Sequence, residues 1–224
     1  MTVPYYVPPE QLMKDRAEFA RKGIARGRSI VAVEYADGIV ILAENPSGSL
    51  QKIGELYDRI AFAGVGKYNE FEALRVAGIR QADLKGYAYA REDVTAKGLA
   101  NAYAQTLGHI FTQEVKPYEV EVMVAEIGAS PSDSRIYRVT YDGTLFDERR
   151  FSAIGGQDEA LLERLGASFE AGAPLSAALS WARAAFQADQ DEEIPPEGWE
   201  AAVIDRSLGR RTFRRLTSDE IVAP

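Results

Sequence analysis

The sequence contains no cysteine and only one histidine, His109, among its 224 residues. Without cysteine, disulfides and thiolate metal sites are excluded. A single imidazole with no titratable partner at ligand spacing leaves little from which to build a histidine metal site or a Ser-His-Asp triad. The sequence therefore predicts neither a metal nor a cofactor.

Long apolar runs are missing as well. No run approaches the roughly 18 to 20 residues that a membrane-spanning helix needs, and the N-terminus has no basic segment ahead of an apolar core. The net charge is −8, which argues against general affinity for nucleic acid or anionic membranes. We expect a cytoplasmic protein that binds neither, with enough length for one large domain or two small ones.

The N-terminal segment changes character after nine residues. MTVPYYVPP carries three prolines and no charged side chain, which predicts an extended arm over residues 1–9. From Glu10 to Ile24 apolar residues recur at spacings of three and four, so an amphipathic helix is predicted that Gly23 can terminate. This helix precedes the first strand and must dock on another part of the protein.

The remainder reads as strands and helix pairs in alternation. Strands are predicted at Ile30–Tyr35 and Ile39–Ala43, with Asp37-Gly38 as the turn between them. Two more short strands and two consecutive helices follow. The second half repeats that order and ends in a hairpin. Because strands and helices do not alternate one by one, the pattern predicts a sheet sandwich with helix pairs outside.

Four features of the sequence have simpler interpretations than a functional site. GVGKYNE, residues 64–70, lacks the first glycine and the Ser or Thr of a phosphate loop, so a strand-to-helix turn is the better interpretation. His109 is interpreted as an incidental helix residue, and the acidic run DQDEE as a solvated loop. Four arginines around the last strand indicate a solvated or interface-facing hairpin in so acidic a chain: Arg210, Arg211, Arg214 and Arg215.

The order and spacing of several short segments resemble the proteasome family of N-terminal-nucleophile hydrolases. They are GIVILAEN, QKI before RIAFAGVG, KPYEV, RIYRVTYDGT, AIGG and EAAVIDRS followed by FRRLTSDEI. The N-terminal segment PYYVPPEQLMKDRAEFARKGIARGRS and the segment LANAYAQTLGHIFT, residues 99–112, are similar to the actinobacterial type of the family's α branch. The resemblance implies an α+β fold, a four-layer αββα sandwich with an extra N-terminal helix. Residues 1–9 would form an arm and residues 10–224 one domain.

The resemblance also bears on catalysis. Active members use a threonine at the start of the first strand, whose own amine acts as base, with a lysine and an aspartate nearby. The matching positions here hold Arg28, Lys52 and Glu44. Because arginine stays protonated, it cannot serve as an acyl nucleophile. No catalytic residue is therefore predicted, and the activity of the complex, a threonine-type endopeptidase, would lie in β-subunits.

The α branch implies other roles for these residues. Chains of this type form heptameric outer rings with themselves and dock a hexameric ATPase or another ring activator through its C-terminal tails. Lys52 would pair with the terminal carboxylate of such a tail. Lys116, Pro117 and Tyr118 would lie near the pore, and the ATPase would deliver proteins marked by a small protein modifier. The gate would be the arm, namely Met1, Thr2, Val3, Pro4, Tyr5, Tyr6, Val7, Pro8 and Pro9.

One catalytic alternative stays open at this point. Cleavage after Arg28 would expose Ser29 as an N-terminal hydroxyl nucleophile, giving an active serine- or threonine-type hydrolase. The preceding residues KGIARGR are needed to complete the first helix, which argues against a disposable leader. A self-assembling scaffold of the same fold without a role in proteolysis is the other alternative.

Overall fold

The computed structural model describes residues 8–188, 190 and 192–223. Residues 1–7 of the arm predicted over residues 1–9 therefore lie outside the described residues, as do two positions of the DQDEE loop. The first helix, α1, spans Pro9–Ala25, and strands β1 (Ile30–Tyr35) and β2 (Gly38–Glu44) follow. The prediction for β1 is confirmed residue for residue.

The other elements complete two sheets and four large helices. In chain order they are β3 (Ile53–Tyr57), β4 (Ile60–Gly66), α2 (Tyr68–Ala88), α3 (Ala96–Gln113), β5 (Val120–Glu126), β6 (Arg135–Val139), β7 (Leu145–Glu148), β8 (Phe151–Ile154), α4 (Asp158–Ser168), α5 (Leu175–Gln187), β9 (Trp199–Asp205), β10 (Phe213–Arg215) and α6 (Ser218–Val222). One sheet has the order β10-β9-β2-β1-β8 and the other β3-β4-β5-β6-β7, with antiparallel pairing throughout.

Strand β1 shows why this is a sandwich. Successive side chains of a strand point to opposite faces. Ile30 and Ala32 lie in the core between the sheets, whereas Val31 and Val33 lie in a second core, under α4 and α5. A third core lies between α2, α3 and the other sheet. Both faces of each sheet are thus buried, and the predicted four-layer αββα fold is confirmed.

Helix α1 closes one end of the sandwich. Its Ala20 and Ile24 are buried in the core between the sheets, and the helix contacts β4 and β5. The prediction that Gly23 ends the helix is wrong, because α1 continues to Ala25. Gly23 instead lets the helix approach Glu119, whose side chain would clash with any Cβ at this position.

Two further boundaries differ from expectation. Pro9 is the first residue of α1 and not the last residue of an arm, which fits proline's preference for the first helical turn. Arg214 and Arg215 lie within the short strand β10 and do not flank it. The C-terminal α6, capped by Thr217 and Glu220, was not predicted. None of the helices within the described ranges is long and apolar enough to cross a bilayer.

Candidate functional site

Arg28, Glu44 and Lys52 meet where the first strand begins. Arg28 stands two residues before β1, Glu44 ends β2, and Lys52 immediately precedes β3. The Lys52 Nζ donates hydrogen bonds to the carbonyl oxygen of Arg28 at 2.8 Å and to that of Glu44 at 3.1 Å. The guanidinium of Arg28 forms an ion pair with the Glu44 carboxylate. The three positions that the sequence singled out therefore form one cluster.

The backbone of Lys52 is fixed from two sides. Its carbonyl accepts the Gly64 N–H of β4 at 3.0 Å, and its own N–H donates to Glu200 Oε2 at 2.9 Å. Glu200, in β9, also accepts the Ile53 N–H and a hydrogen bond from Asn45. Glu200 was missed in the sequence, because nothing about an acidic residue within a strand indicates that it hydrogen-bonds to the distant segment between β2 and β3.

The ammonium of Lys52 is electrostatically unusual. Its pKa is lowered to about 8, mainly by burial and also by the nearby Arg28, against the opposing attraction of Glu200 and Glu44. Burial removes water from the charged amine, and only two backbone carbonyls accept hydrogen bonds from it in exchange. Binding of an anion here would therefore stabilise the protonated form of Lys52.

Ser29 offers little access for chemistry. The residue is 5% exposed, and its Oγ accepts the Gln157 N–H at 3.4 Å. Gly155 packs against it with φ of +113°, and a Cβ there would come within 2.7 Å of the Ser29 oxygen. The hydroxyl is thus enclosed by the turn between β8 and α4.

The predicted pore residues lie elsewhere, in the loop between α3 and β5. Pro117 is buried, and Tyr118 packs partly buried against the core between α2, α3 and their sheet. Lys116 binds Glu70 and Glu119 at 2.7 and 2.9 Å. Burial alone would lower the pKa of Lys116, yet these two carboxylates raise it. Sequence reasoning missed Glu70, which lies far from this loop in the sequence.

The other motifs have ordinary surroundings. GVGKYNE forms the junction between β4 and α2, as interpreted, and His109 lies exposed on α3. The arginines of the last hairpin pair with carboxylates, including Arg211 with Glu55 and Arg214 with Glu220. Among residues 8–188, 190 and 192–223, no group of three or more acidic or histidine side chains is arranged to hold a metal.

A cavity of about 690 Å³ lies between α1, the β6–β7 turn and the start of α4. Glu121 lines it and is 5% exposed. It accepts the Gly155 N–H at 3.0 Å and faces Arg138 at 3.4 Å. Burial nevertheless raises the pKa of Glu121 to about 7. A carboxyl at the edge of the central core therefore titrates near neutrality.

This pKa predicts a pH-dependent stability. Because the folded pKa lies above the ordinary 4.5, the contribution is fully present below pH 4.5 and is lost as the pH rises through 7. Glu121→Gln keeps an acceptor for Gly155 and carries no charge. We expect the loss of unfolding free energy between pH 5 and pH 8 to be smaller by about 2–3 kcal/mol in this variant.

Urea melts of the isolated chain at several pH values check this expectation. Glu159→Gln, which removes an exposed carboxylate at the same cavity, serves as the matched control and should follow the wild-type curve. Parallel pH curves for wild type and Glu121→Gln would show that Glu121 does not titrate in this range.

Comparisons with known proteins bear on the whole chain. A family model described as "Proteasome subunit" matches residues 24–204. Among curated proteins, "Proteasome subunit alpha" of Kineococcus radiotolerans is 56% identical over 225 residues, covering 97% of this chain and 95% of that protein. The protein of the same name from Acidimicrobium ferrooxidans is 55% identical, with 99% and 95% covered. That of an Arthrobacter species is 54% identical, with 100% and 97% covered.

Proposed function

This chain belongs to the proteasome subunit family, and we propose that it is the non-catalytic α-subunit of a bacterial 20S core particle. The observation that carries the proposal is the cluster at the start of β1. Arg28 occupies the position of the family's nucleophile and is paired with Glu44. An arginine in an ion pair offers no nucleophilic atom at neutral pH. Peptide hydrolysis by the particle would therefore be the work of a β-type partner.

The position of α1 supports the same interpretation. A mature N-terminal nucleophile needs a free amine at the start of β1, and here α1 precedes that point and contributes Ala20 and Ile24 to the core between the sheets. Removing residues up to Arg28 would uncover this apolar surface. Ser29 itself is enclosed, so an active serine-type enzyme made by cleavage after Arg28 is the weaker hypothesis.

The proposed tasks are structural and regulatory, in the cytoplasm. The chain would form seven-membered outer rings, with α1 packing against its counterpart in the next copy, and stack on rings of β-subunits. A repeated head-to-tail contact closes into a ring when its rotation allows. Residues 1–9 would obstruct the axial pore, and the loop at Lys116, Pro117 and Tyr118 would border it.

Lys52 would receive the C-terminal carboxylate of an activator tail. A hexameric ATPase that unfolds proteins tagged with a small modifier is the proposed partner. Flexible tails suit the contact because a ring of six cannot match a ring of seven face to face, and tethered tails gain affinity from high effective concentration. The half-buried, desolvated ammonium of Lys52 supports this role.

Co-expression with a β-type subunit tests the function. The β partner should carry Gly-Thr immediately before its first strand. We expect a mixed particle that hydrolyses short peptides, whereas this chain alone should show no turnover and retain its full intact mass. Ser29→Ala should leave turnover by the mixed particle unchanged. Turnover by this chain alone that disappears in Ser29→Ala would favour the hydrolase hypothesis.

A further inference from the structure

We propose that Glu70 is a positioning residue that fixes the loop of residues 114–119, here called the pore loop, so that Val115 projects toward the unfolded polypeptide passing through the ring. This inference rests on the pore-lining role proposed above for that loop. Glu70 lies in the first turn of α2 and is 7% exposed, one of the few buried charged residues among those described.

Both carboxylate oxygens of Glu70 are used on the pore loop. Oε1 accepts a hydrogen bond from Lys116 Nζ at 2.7 Å, and Oε2 accepts the Glu119 N–H at 2.7 Å. Hydrogen bonds with a charged partner are roughly twice as strong as neutral ones. A buried carboxylate that lost them would keep only the Lys67 ammonium, 3.9 Å away, at a cost in free energy. The two bonds therefore fix the position of the loop relative to α2.

Backbone contacts add to the two hydrogen bonds of Glu70, here called the Glu70 clamp. The Lys67 N–H donates to the Glu119 carbonyl at 2.9 Å. Gly66 pairs with Val120 and has φ of +104°, a conformation in which a Cβ would clash with the Glu119 carbonyl. The C-terminal end of the pore loop is therefore joined to the β4–α2 junction, and Glu70 extends this attachment outward to Lys116.

The Glu70 clamp determines which side chains of the pore loop are exposed to solvent. Lys116 is tied to Glu70, Pro117 is buried, and Tyr118 packs on the core. Val115 is 96% exposed, more than any other large hydrophobic residue among those described. A lone exposed valine is unremarkable in a monomer. Seven copies around one axis would form an apolar collar that an unfolded chain must touch.

The test uses the full particle, with the β-subunit and the activator present so that the gate does not limit entry. Two quantities are measured: amide hydrogen exchange over residues 114–119, and the rate of casein degradation divided by the rate of tetrapeptide hydrolysis. The variants are Glu70→Ala, Glu70→Gln, which keeps an acceptor for the Glu119 N–H, and Lys116→Met. Asp83→Asn, an exposed acid on the same helix, is the control.

We expect Glu70→Ala to speed exchange of the loop at least tenfold and to raise the rate ratio at least threefold, because a loosened collar resists a bulky chain less. Glu70→Gln and Lys116→Met should show smaller shifts in the same direction, and Asp83→Asn none. A general loss of structure would lower both rates together and leave the ratio unmoved.

The two measurements separate the possible failures. Unchanged exchange in Glu70→Ala would overturn the positioning role of Glu70. Faster exchange with an unchanged ratio would overturn the pore-lining role of the loop, on which the inference rests. If Glu70→Ala does not assemble, Glu70→Gln carries the same test, because it removes the charge that pairs with Lys116 and keeps an acceptor for the Glu119 N–H.

Discussion

Replacing Lys52 with alanine is expected to abolish ATPase-stimulated protein degradation and to leave basal peptide hydrolysis by the assembled particle unchanged. The activator's terminal carboxylate would lose the cation that binds it. Truncating one partner of a buried, hydrogen-bonded charge pair weakens binding by about 2–5 kcal/mol, which corresponds to a factor of roughly 30 or more. The measurement is degradation rate as a function of activator concentration.

The structure supplies the controls for this experiment. Lys97 is exposed on α3, and Lys97→Ala should behave like wild type. Because the Lys52 ammonium also bridges the carbonyls of Arg28 and Glu44, native mass must establish that the Lys52→Ala particle is intact. Undiminished stimulation in an intact particle would refute the docking role.

The pKa of Lys52 sharpens the same prediction. With a pKa of about 8 in the empty site, the protonated fraction falls about eightfold between pH 7.5 and pH 9. Carboxylate binding needs the protonated form, so the apparent affinity for the activator should fall by about that factor over this range. A lysine at the ordinary value of 10.5 would stay charged throughout, and a flat affinity profile would point to one.

Removing Thr2–Val7 is expected to raise basal peptide hydrolysis several-fold, because under the proposed function seven arms would no longer obstruct the pore. Passage of substrate or product through a gate often limits turnover. The deletion should end before Pro8. The Pro8 carbonyl accepts the Leu12 N–H at 3.1 Å and Pro9 begins α1, so a longer deletion would also damage this helix.

Two variants separate gating from damage to the helix. Pro8→Ala, with the arm present, should keep the low basal rate. A Gly- and Ser-rich arm of the same length should give an intermediate rate, because a flexible chain obstructs the pore less than one stiffened by prolines. An unchanged rate after deletion of Thr2–Val7 would count against a gating arm.

The fold was predictable wherever the signal was local. A short apolar run ahead of the Asp37-Gly38 turn predicted the observed bounds of β1, Ile30–Tyr35, and helical spacing located α2 and α3. The end of α1 was predicted wrongly because a glycine inside a helix looks like a helix terminator in the sequence. Gly23 instead makes room for Glu119, 96 residues further along the chain. The five-residue α6 is too short for its periodicity to stand out.

The candidate site was predictable only as separate positions. The family resemblance singled out Arg28, Glu44 and Lys52, but no pattern in the sequence indicated that the Lys52 ammonium would bridge the carbonyls of the other two. Glu200 and Glu70 were missed for the same physical reason. Each acts on a backbone segment 49 or more residues distant, and such pairings exist only once the sheets have packed.

Imaging of the particle formed with a β-type subunit would show whether this chain is the non-catalytic subunit of the outer ring. We expect outer rings of seven copies of this chain, each with its N-terminus uncleaved, around inner rings that alone react with a threonine-directed covalent inhibitor. An assembly without sevenfold symmetry, or inhibitor bound to this chain at Ser29, would contradict it.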